Sequence, residues 1–273
     1  MENYTIDRAY AILASIDTMG SQTKFHKDGY WYKYDSLGIE GLAEEVTSIL
    51  LSCSNIKDYV TYERCTINGK KGCRSRDFLD ASEQFITFDT LYRNITGKSL
   101  SDKMGELQNA DARLHYLIDF IKKATGLDAT TYLYKNLALD MITKNPDRHF
   151  NNLGIILQAD GTFRFSPIFD NGQGLMMNFN ITPPILEDEE KEERLYAATV
   201  SGSFETQFMA IDKLYHGPKL TIDMDKLNDL LKDRYPNGNI AVDYLKVSLD
   251  RYKGLFNEKQ LLQENDIDND MER

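Results

Sequence analysis

In the first third of the chain, apolar and polar residues alternate in short runs that end at turn sequences. The turns Asp28-Gly29 and Asn68-Gly69 each separate two such runs, and Asp-Gly and Asn-Gly pairs favour tight β-hairpins. Between these hairpins, residues 39–52 place apolar side chains at helical spacing. The pattern therefore predicts two strand pairs and one helix in this region.

From about residue 82 onward, the apolar spacing becomes that of helices, with one interruption by the alternating runs 153–158 and 162–169. Helices are predicted over residues 85–94, 114–123, 130–142, 204–214, 224–234 and 240–255. The sequence thus predicts an α+β fold with a β-rich N-terminal lobe, residues 1–82, and a helical C-terminal lobe, residues 83–273. The interruption predicts a β-hairpin within the helical lobe.

The hairpin predicted over residues 153–169 brings three polar side chains toward one point. If its turn centres near Gly161, residues whose numbers add up to about 322 oppose each other, and Asn152 then faces Asp170. Asp147 lies in the polar loop just before the hairpin. Such residues often only cap turns, but two carboxylates and an amide are also the oxygen ligands that suit Mg²⁺ beside substrate phosphates. We expect a magnesium site for phosphoryl transfer here.

The N-terminal lobe offers a cation and a phosphate-binding turn. Lys33 lies in an aromatic-rich strand, where a buried ammonium would need an anionic partner. The helix over 39–52 supplies Glu44 and Glu45, but the residues leave open which one pairs with Lys33, or whether Lys33 only extends to solvent. The turn at Gly20 and Ser21 would let backbone N–H groups approach a phosphate, although a single Gly-Ser turn is also ordinary loop chemistry.

Composition narrows the class of protein. The chain has 273 residues and a formal net charge of −11, which opposes a nucleic-acid-binding groove because such grooves need clustered lysine and arginine. We find no apolar run of membrane-spanning length and no N-terminal basic region followed by an apolar one. We therefore expect a cytoplasmic protein without membrane or nucleic-acid partners. Cys53, Cys65 and Cys73 lack metal-binding spacing and are predicted to be reduced thiols.

Together these motifs resemble the protein-kinase-like fold. More narrowly, they resemble the HipA-like Ser/Thr kinases, including the short cell-translocating kinase A type. The matching segments are Gly20-Ser-Gln-Thr-Lys24, Trp31-Tyr-Lys33, the helix that bears Glu44, Asn145-Pro-Asp-Arg-His-Phe-Asn-Asn-Leu-Gly154, Ile168-Phe-Asp-Asn-Gly172 and Ser201-Gly-Ser-Phe-Glu-Thr-Gln207. The resemblance implies a two-lobed kinase that uses ATP and Mg²⁺ to phosphorylate a Ser or Thr hydroxyl of a protein.

The resemblance also implies a role for each candidate residue. Asp147 would orient or deprotonate the acceptor hydroxyl, while Asn152 and Asp170 would hold Mg²⁺ on the ATP phosphates. Lys33 would contact the α- and β-phosphates, with Glu44 positioning it. Gly20 and Ser21 would lie at the phosphates. Glu44 is chosen over Glu45 on the resemblance alone, because helical phase places Glu45 nearer the apolar face.

Other functions stay open at this stage. The Asp-Arg-His motif also occurs in phosphoinositide kinases, so a lipid or small-molecule acceptor is an alternative, as is a nucleotide-binding regulator without turnover. A metallohydrolase built on Asp147, His149 and Asp170 would leave Lys33 unexplained. Arg148 is predicted to be a structural clamp on a carboxylate or carbonyl. The resemblance suggests an antitoxin-type partner, but the chain lacks room for the extra N-terminal domain of HipA, so the sequence does not support one.

Overall fold

A computed structural model describes residues 1–12, 23–36, 39–176 and 194–256. Within these ranges, the N-terminal lobe is a six-stranded sheet in the order β1-β5-β6-β4-β3-β2. Its strands are β1 (Glu2–Tyr4), β2 (Ala11–Ile12), β3 (Lys24–Lys27), β4 (Tyr30–Tyr34), β5 (Tyr62–Ile67) and β6 (Lys70–Arg76). Neighbouring strands are antiparallel except β1 and β5, which run parallel. A 3₁₀ turn, Arg8–Tyr10, lies between β1 and β2.

Both hairpins predicted for this lobe are present. Asp28 and Gly29 have φ of 53° and 74°, and Asn68 and Gly69 have φ of 48° and 77°. Two successive positive φ angles define the type I′ turn, whose twist matches that of the flanking strands. The side chains Asn and Asp tolerate this conformation better than other non-glycine residues, which is why these two turn sequences were informative.

Helix α1 (Glu40–Ser52) crosses the sheet on β5 and β6. A Cβ added to Gly41 would lie 2.9 Å from the Gly72 carbonyl oxygen, so glycine at this position allows the start of the helix to approach the strand closely. Nearly every residue from Glu40 to Leu51 is buried, because α1 also packs against the C-terminal helices α7 and α8. The helix therefore belongs to the packing of both lobes.

The C-terminal lobe is mostly helical. Its helices are α2 (Phe88–Thr96), α3 (Leu100–Gly105), α4 (Ala110–Thr125), α5 (Thr130–Thr143), α6 (Phe204–Leu214), α7 (Met224–Arg234) and α8 (Ile240–Phe256). Helix α5 lies at the centre, buried along almost its whole length beneath α6 and α8. The helices predicted over 204–214 and 224–234 are confirmed, whereas the short α3 was not predicted.

One predicted helix is wrong in its first turn. Residues 84–87 form strand β7 (Gln84–Thr87), which pairs with β8 (Gly154–Leu157), and β8 pairs in turn with β9 (Phe163–Phe165). Thr87 then caps α2 by accepting a hydrogen bond from the Thr90 N–H, and threonine at such a position favours a helix start. A short strand that runs directly into a helix has no turn residues to separate the two apolar patterns. A single helix was therefore predicted.

The hairpin of β8 and β9 is confirmed, with a small change of register. Ile155 opposes Phe165, so the turn centres at Asp160 rather than Gly161. The difference shifts the opposing residues by two positions, which preserves the face on which each side chain lies. Asn152 and Asp170 therefore do not oppose each other within the ladder: Asn152 lies just before β8 and Asp170 lies after β9, at the same end of the hairpin. A Cβ on Gly154 would lie 2.5 Å from the Ile86 carbonyl, so β7 and β8 require glycine there.

Residues 77–83 form the linker between β6 and β7, and the lobe boundary between residues 82 and 83 stays a prediction. A large apolar core unites α1 with the C-terminal helices, and a smaller core lies in the sheet around Phe25, Tyr32 and Ile67. Among the described residues, no helix combines the length and the apolar character that crossing a membrane requires. Cys53, Cys65 and Cys73 are buried free thiols, as predicted.

Candidate functional site

A cavity of about 160 Å³ lies where the six-stranded sheet faces the C-terminal hairpin. The residues that line it come from both lobes: Lys24, Trp31, Lys33, Val60, Tyr62, Ser75, Asp77, Phe78, Leu79, Phe85, Asn151, Asn152, Phe169 and Asp170. Three of the predicted site residues, Lys33, Asn152 and Asp170, thus share one cleft. Gly20 and Ser21 lie outside the described residues.

Lys33 is the cation at the centre of this cleft. Its ammonium lies 2.7 Å from Asp170 Oδ1 and 3.3 Å from Glu44 Oε1, and it is also 3.5 Å from the Tyr62 hydroxyl. Only 9% of the Lys33 side chain is exposed, so the interpretation that it merely extends to solvent is wrong. Burial lowers the pKa of Lys33, but Asp170, Tyr62 and Glu44 together outweigh burial and raise the pKa well above its ordinary value.

Glu44, and not Glu45, is the partner of Lys33. The second oxygen of Glu44 accepts the backbone N–H of Asn171 at 2.9 Å, so Glu44 contacts both lobes. Glu45 turns away and pairs with Arg234. Helical phase pointed to Glu45 because it assumed a single apolar face, whereas α1 is buried on several sides.

Asp170 follows β9 in a left-handed backbone conformation with φ of 59°, which aspartate tolerates better than most residues. Its N–H donates to the Tyr62 hydroxyl at 3.3 Å. Burial raises the pKa of Asp170, but the ammonium groups of Lys33 and Lys24 outweigh it and hold the pKa well below its ordinary value. The carboxyl therefore stays ionised, which is the form that binds a metal ion.

Arg148 holds the loop before the hairpin against the segment that carries Asp170. Its guanidinium binds the buried Asp140 carboxylate at 3.1–3.2 Å. It also donates to the Phe169 carbonyl and to Asn171 Oδ1, both at 2.5 Å. The Thr199 hydroxyl donates to the Arg148 carbonyl at 2.6 Å. Arg148 is thus the structural clamp that the sequence predicted, and it fixes the residues on either side of Asp170.

Asp147 lies in the same loop, next to Asn152. The Asn152 amide nitrogen donates to the Asp147 carbonyl at 2.8 Å, and His149 Nε2 lies 3.7 Å from Asp147 Oδ1. Burial raises the pKa of the Asp147 carboxyl, the nearby charge of Asp170 adds to the rise, and His149 opposes it. Since 53% of the side chain is exposed, water screens these effects, and the carboxyl can meet a second substrate from outside.

The residues beside Asp147 suit Mg²⁺. Because the Asn152 nitrogen is committed to the Asp147 carbonyl, the amide oxygen is the atom left to act as a ligand. Lys33 holds Oδ1 of Asp170, so the second oxygen of that carboxylate is the atom proposed to face a metal ion. In the described part of the chain no cluster of three His, Cys, Asp or Glu residues forms a metal cage, and Mg²⁺ needs none, since it takes few protein oxygens and completes its octahedron with water and phosphates.

Part of the cleft lining is an aromatic wall that the sequence did not predict. Phe78, Phe85 and Phe169 meet with ring centroids 5.4–5.7 Å apart. They come from the linker, from β7 and from the segment after β9, so only the fold brings them together. Phe169 is adjacent to Asp170 in the sequence motif, and this adjacency indicated its position near the site. No motif indicated the positions of Phe78 and Phe85. The wall is an apolar surface on which a flat ring could stack.

A second lysine also enters the cleft. Lys24 on β3 is directly opposite Lys33 on β4, and directly opposed residues project from the same face of a sheet. Burial and the charge of Lys33 lower the pKa of Lys24, although Asp170, Glu44 and Asp147 oppose the shift. Lys24 lies in one of the segments that resemble the HipA-like kinases, but the sequence predicted no role for it. The hairpin register is the signal that would have paired it with Lys33.

No protein-family model matches this chain, and no curated protein matches it by sequence. Among solved structures, the chain is similar to the Helicobacter pylori proinflammatory kinase CtkA, with a TM-score of 0.59 and 18% sequence identity over 93% of this chain and 95% of that one. It also matches HipA of Shewanella oneidensis MR-1, solved as a complex of HipA, HipB and operator DNA, with a TM-score of 0.48 and 15% identity over 86% of this chain and 59% of HipA. The similarity to CtkA, together with the sheet and helices described above, shows that the chain has the bilobal α+β, kinase-like fold that its sequence predicts.

Proposed function

We propose that the chain is a kinase that uses ATP and Mg²⁺ to phosphorylate a Ser or Thr hydroxyl of a protein. The observation that carries the proposal is the placement of Lys33 between Glu44 and Asp170, in a cleft that both lobes line. A cation held by one carboxylate from α1 and one from the C-terminal lobe is the arrangement that phosphoryl transfer needs for binding phosphates beside a metal.

The cleft offers separate surfaces to the parts of a nucleotide. The aromatic wall of Phe78, Phe85 and Phe169 would take the base, and Lys33 and Lys24 would take the phosphates. Lysine ammonium groups bind phosphate oxygens as compact charges. Gly20 and Ser21, outside the described residues, stay proposed as part of the phosphate-binding turn.

Asn152 and Asp170 would hold Mg²⁺, whose charge would stabilise the negative charge that develops on the phosphate oxygens. Lys33 keeps Asp170 ionised for this purpose. Glu44 keeps Lys33 in place, and Arg148 fixes the backbone on both sides of Asp170.

Asp147 would act on the acceptor. Its carboxylate would orient the hydroxyl and accept its proton while the hydroxyl oxygen bonds to the γ-phosphorus and the bond to ADP breaks. Its raised pKa improves it as a proton acceptor near neutral pH. The half-exposed position of its side chain supports an acceptor that arrives from solvent, and the resemblance to HipA-like kinases favours a protein.

The test is transfer of labelled phosphate from ATP, with Mg²⁺, to protein mixtures and to lipid extracts. We expect label in protein with the native chain. The Asp147→Ala variant should lose transfer by at least a thousandfold, a size typical of losing a residue that acts in the transition state, and should still bind ATP. Label found only in lipid would contradict the protein acceptor, and ATP that binds without ever being consumed would contradict the kinase.

A further inference from the structure

Helix α1 carries two adjacent carboxylates that point in different directions. Successive residues of a helix are turned by about 100°, so Glu44 faces Lys33 and the C-terminal lobe while Glu45 faces β5 and the end of α7. Only Glu44 has a place in the proposed function. Glu45 is nevertheless as firmly held as Glu44.

Four donors converge on the Glu45 carboxylate. Arg234 donates from Nη2 at 2.7 Å and from Nε at 3.2 Å, and the Tyr235 hydroxyl donates as well. The backbone N–H of Arg64 on β5 donates at 3.1 Å. Paired bonds from one guanidinium to one carboxylate fix both distance and orientation. Glu45 therefore ties α1 to a strand of the N-terminal lobe and to a helix of the C-terminal lobe.

A neighbouring contact extends this anchor toward the cleft. One turn along α1, Ser48 accepts the Tyr62 N–H at 2.9 Å and donates to the Glu44 carbonyl at 2.8 Å. Glu45 and Ser48 thus satisfy two N–H groups on the edge of β5, beyond the stretch that β1 pairs with. Tyr62 in turn lies beside Lys33 and Asp170. A continuous set of contacts joins Arg234 to the cleft.

We propose that Glu45 is a positioning residue: its anchor on Arg234 and Tyr235 sets the rotation and position of α1, and so holds Glu44 at Lys33. This inference rests on the proposed function, because it concerns the binding of phosphates by Lys33. It gives the C-terminal end of α7, whose Arg234 lies outside the lining of the cleft, a measurable effect on nucleotide binding.

The anchor can be changed without opening the core. Arg234 is 49% exposed, whereas the Glu45 side chain is only 7% exposed, and both line a cavity of about 710 Å³ that shares Tyr62 with the cleft. Arg234→Met is therefore the main variant, and Glu45→Gln, which keeps the size of the side chain, is the second. Lys232→Met, an exposed lysine on the same helix, is the matched control.

The measurement is the dissociation constant of ATP, with Mg²⁺, and of adenosine for each variant, by calorimetry. Arg234→Met and Glu45→Gln should weaken ATP binding about tenfold, the size that couplings between neighbouring groups reach. Adenosine binding should stay unchanged, because adenosine has no phosphate for Lys33. Arg234→Lys, which keeps the charge but not the paired geometry, should give an intermediate loss, and Lys232→Met should bind both ligands like the native chain.

Two results would contradict the positioning role of Glu45, and a third would contradict the proposed function. Native-like ATP binding by Arg234→Met and Glu45→Gln would overturn the positioning role. Equal losses for ATP and adenosine would overturn it too, because they would indicate general loosening. A native chain that binds ATP no better than adenosine would instead overturn the proposed function itself.

Discussion

At the scale of single residues, the cleft brings several charged side chains close together in a partly buried environment. Lys24 and Lys33 are directly opposed across two strands, and like charges so placed repel each other. The Asp170 carboxylate compensates both positive charges, and the two ammonium groups in turn lower the pKa of Asp170. A polyanion such as a triphosphate would relieve the repulsion further, which gives Lys24 a measurable role.

Replacing Lys24 by methionine should weaken ATP binding about tenfold, because a hydrogen bond to a charged group contributes roughly 1.5 kcal/mol or more. Adenosine affinity should change little. Calorimetric titration with both ligands checks this. Lys27→Met is the control, since Lys27 lies on the same strand and pairs with Tyr30 outside the cleft lining. An ATP affinity unaffected by Lys24→Met would remove Lys24 from the phosphate site.

The proposed role of Asp147 predicts the acid limb of the pH profile. The unprotonated carboxyl is the active form, so the rate falls as pH drops through its pKa. Burial and Asp170 raise that pKa above the ordinary value of 3.8. We therefore expect kcat/KM for ATP, which reports groups of the free enzyme, to fall on the acid side with an apparent pKa above 3.8, measured by steady-state assays at constant ionic strength. A limb that lies at or below 3.8 would contradict this environment for Asp147.

At the scale of secondary-structure elements, three helices meet where the loop of Asp147 begins. Lys144, the residue after α5, has a left-handed φ of 50° and a buried ammonium. That ammonium donates to Glu205 at the start of α6 and to the Tyr252 hydroxyl of α8 at 2.7 Å. Tyr252 also donates to Glu205. The end of α5 is therefore fixed from two sides, and with it the position from which the loop departs.

Glu205 should make the stability of this junction depend on pH. Burial raises its pKa, but hydrogen bonds from Lys144 and Tyr252 outweigh burial and lower the pKa from 4.5 to about 2. A carboxyl with a lowered pKa stabilises the fold above its unfolded value, and this contribution is lost as pH falls from about 4.5 to about 2. The side chain is 48% exposed, so we expect about 1 to 2 kcal/mol rather than the full value.

Urea denaturation of the native chain and of Glu205→Gln tests this expectation. The variant should be less stable by that amount at pH 7, and the difference should shrink toward pH 3. Asp250→Asn is a suitable control, because Asp250 pairs with the exposed Lys253 on α8. A difference that stays constant with pH would show that the carboxylate charge is not what stabilises the junction.

At the scale of the whole molecule, both lobes contribute to the cleft and α1 packs on each of them. A ligand that spans the cleft should therefore stabilise the complete fold. Binding at a hundred times the dissociation constant adds about 2.7 kcal/mol to the free energy of unfolding. We expect ATP with Mg²⁺ to raise the melting temperature, and removal of Mg²⁺ by a chelator to reduce the rise.

The variant Asp170→Asn connects this effect to the proposed metal ligand. In that variant, the melting temperature with ATP should no longer depend on Mg²⁺, because one of the two proposed ligands has lost its charge. Adenosine should still raise the melting temperature, which confirms that the cleft is intact. A variant that responds to Mg²⁺ like the native chain would show that Asp170 does not hold the metal.

The sequence alone was sufficient to predict the architecture and to predict which polar residues, close together along the chain, lie near one another. Turn pairs such as Asn68-Gly69 and the helical spacing after residue 82 report local conformation, so the hairpins and most helices were predictable. Asp147, Asn152 and Asp170 were found because one hairpin connects them. Their register was predicted two residues away from the observed one, because the position of a turn within a short loop depends on its detailed backbone conformation.

Only the tertiary structure decided the contacts between segments far apart in sequence. Phase along α1 pointed to Glu45 rather than Glu44, because it assumed a single apolar face, whereas the pairing depends on where Lys33 and Arg234 lie. The aromatic wall and the pairing of Lys24 with Lys33 likewise need the assembled sheet and linker. Local pattern reflects local backbone preference and burial, whereas the direction in which a buried charge points is set by partners that the fold brings to it.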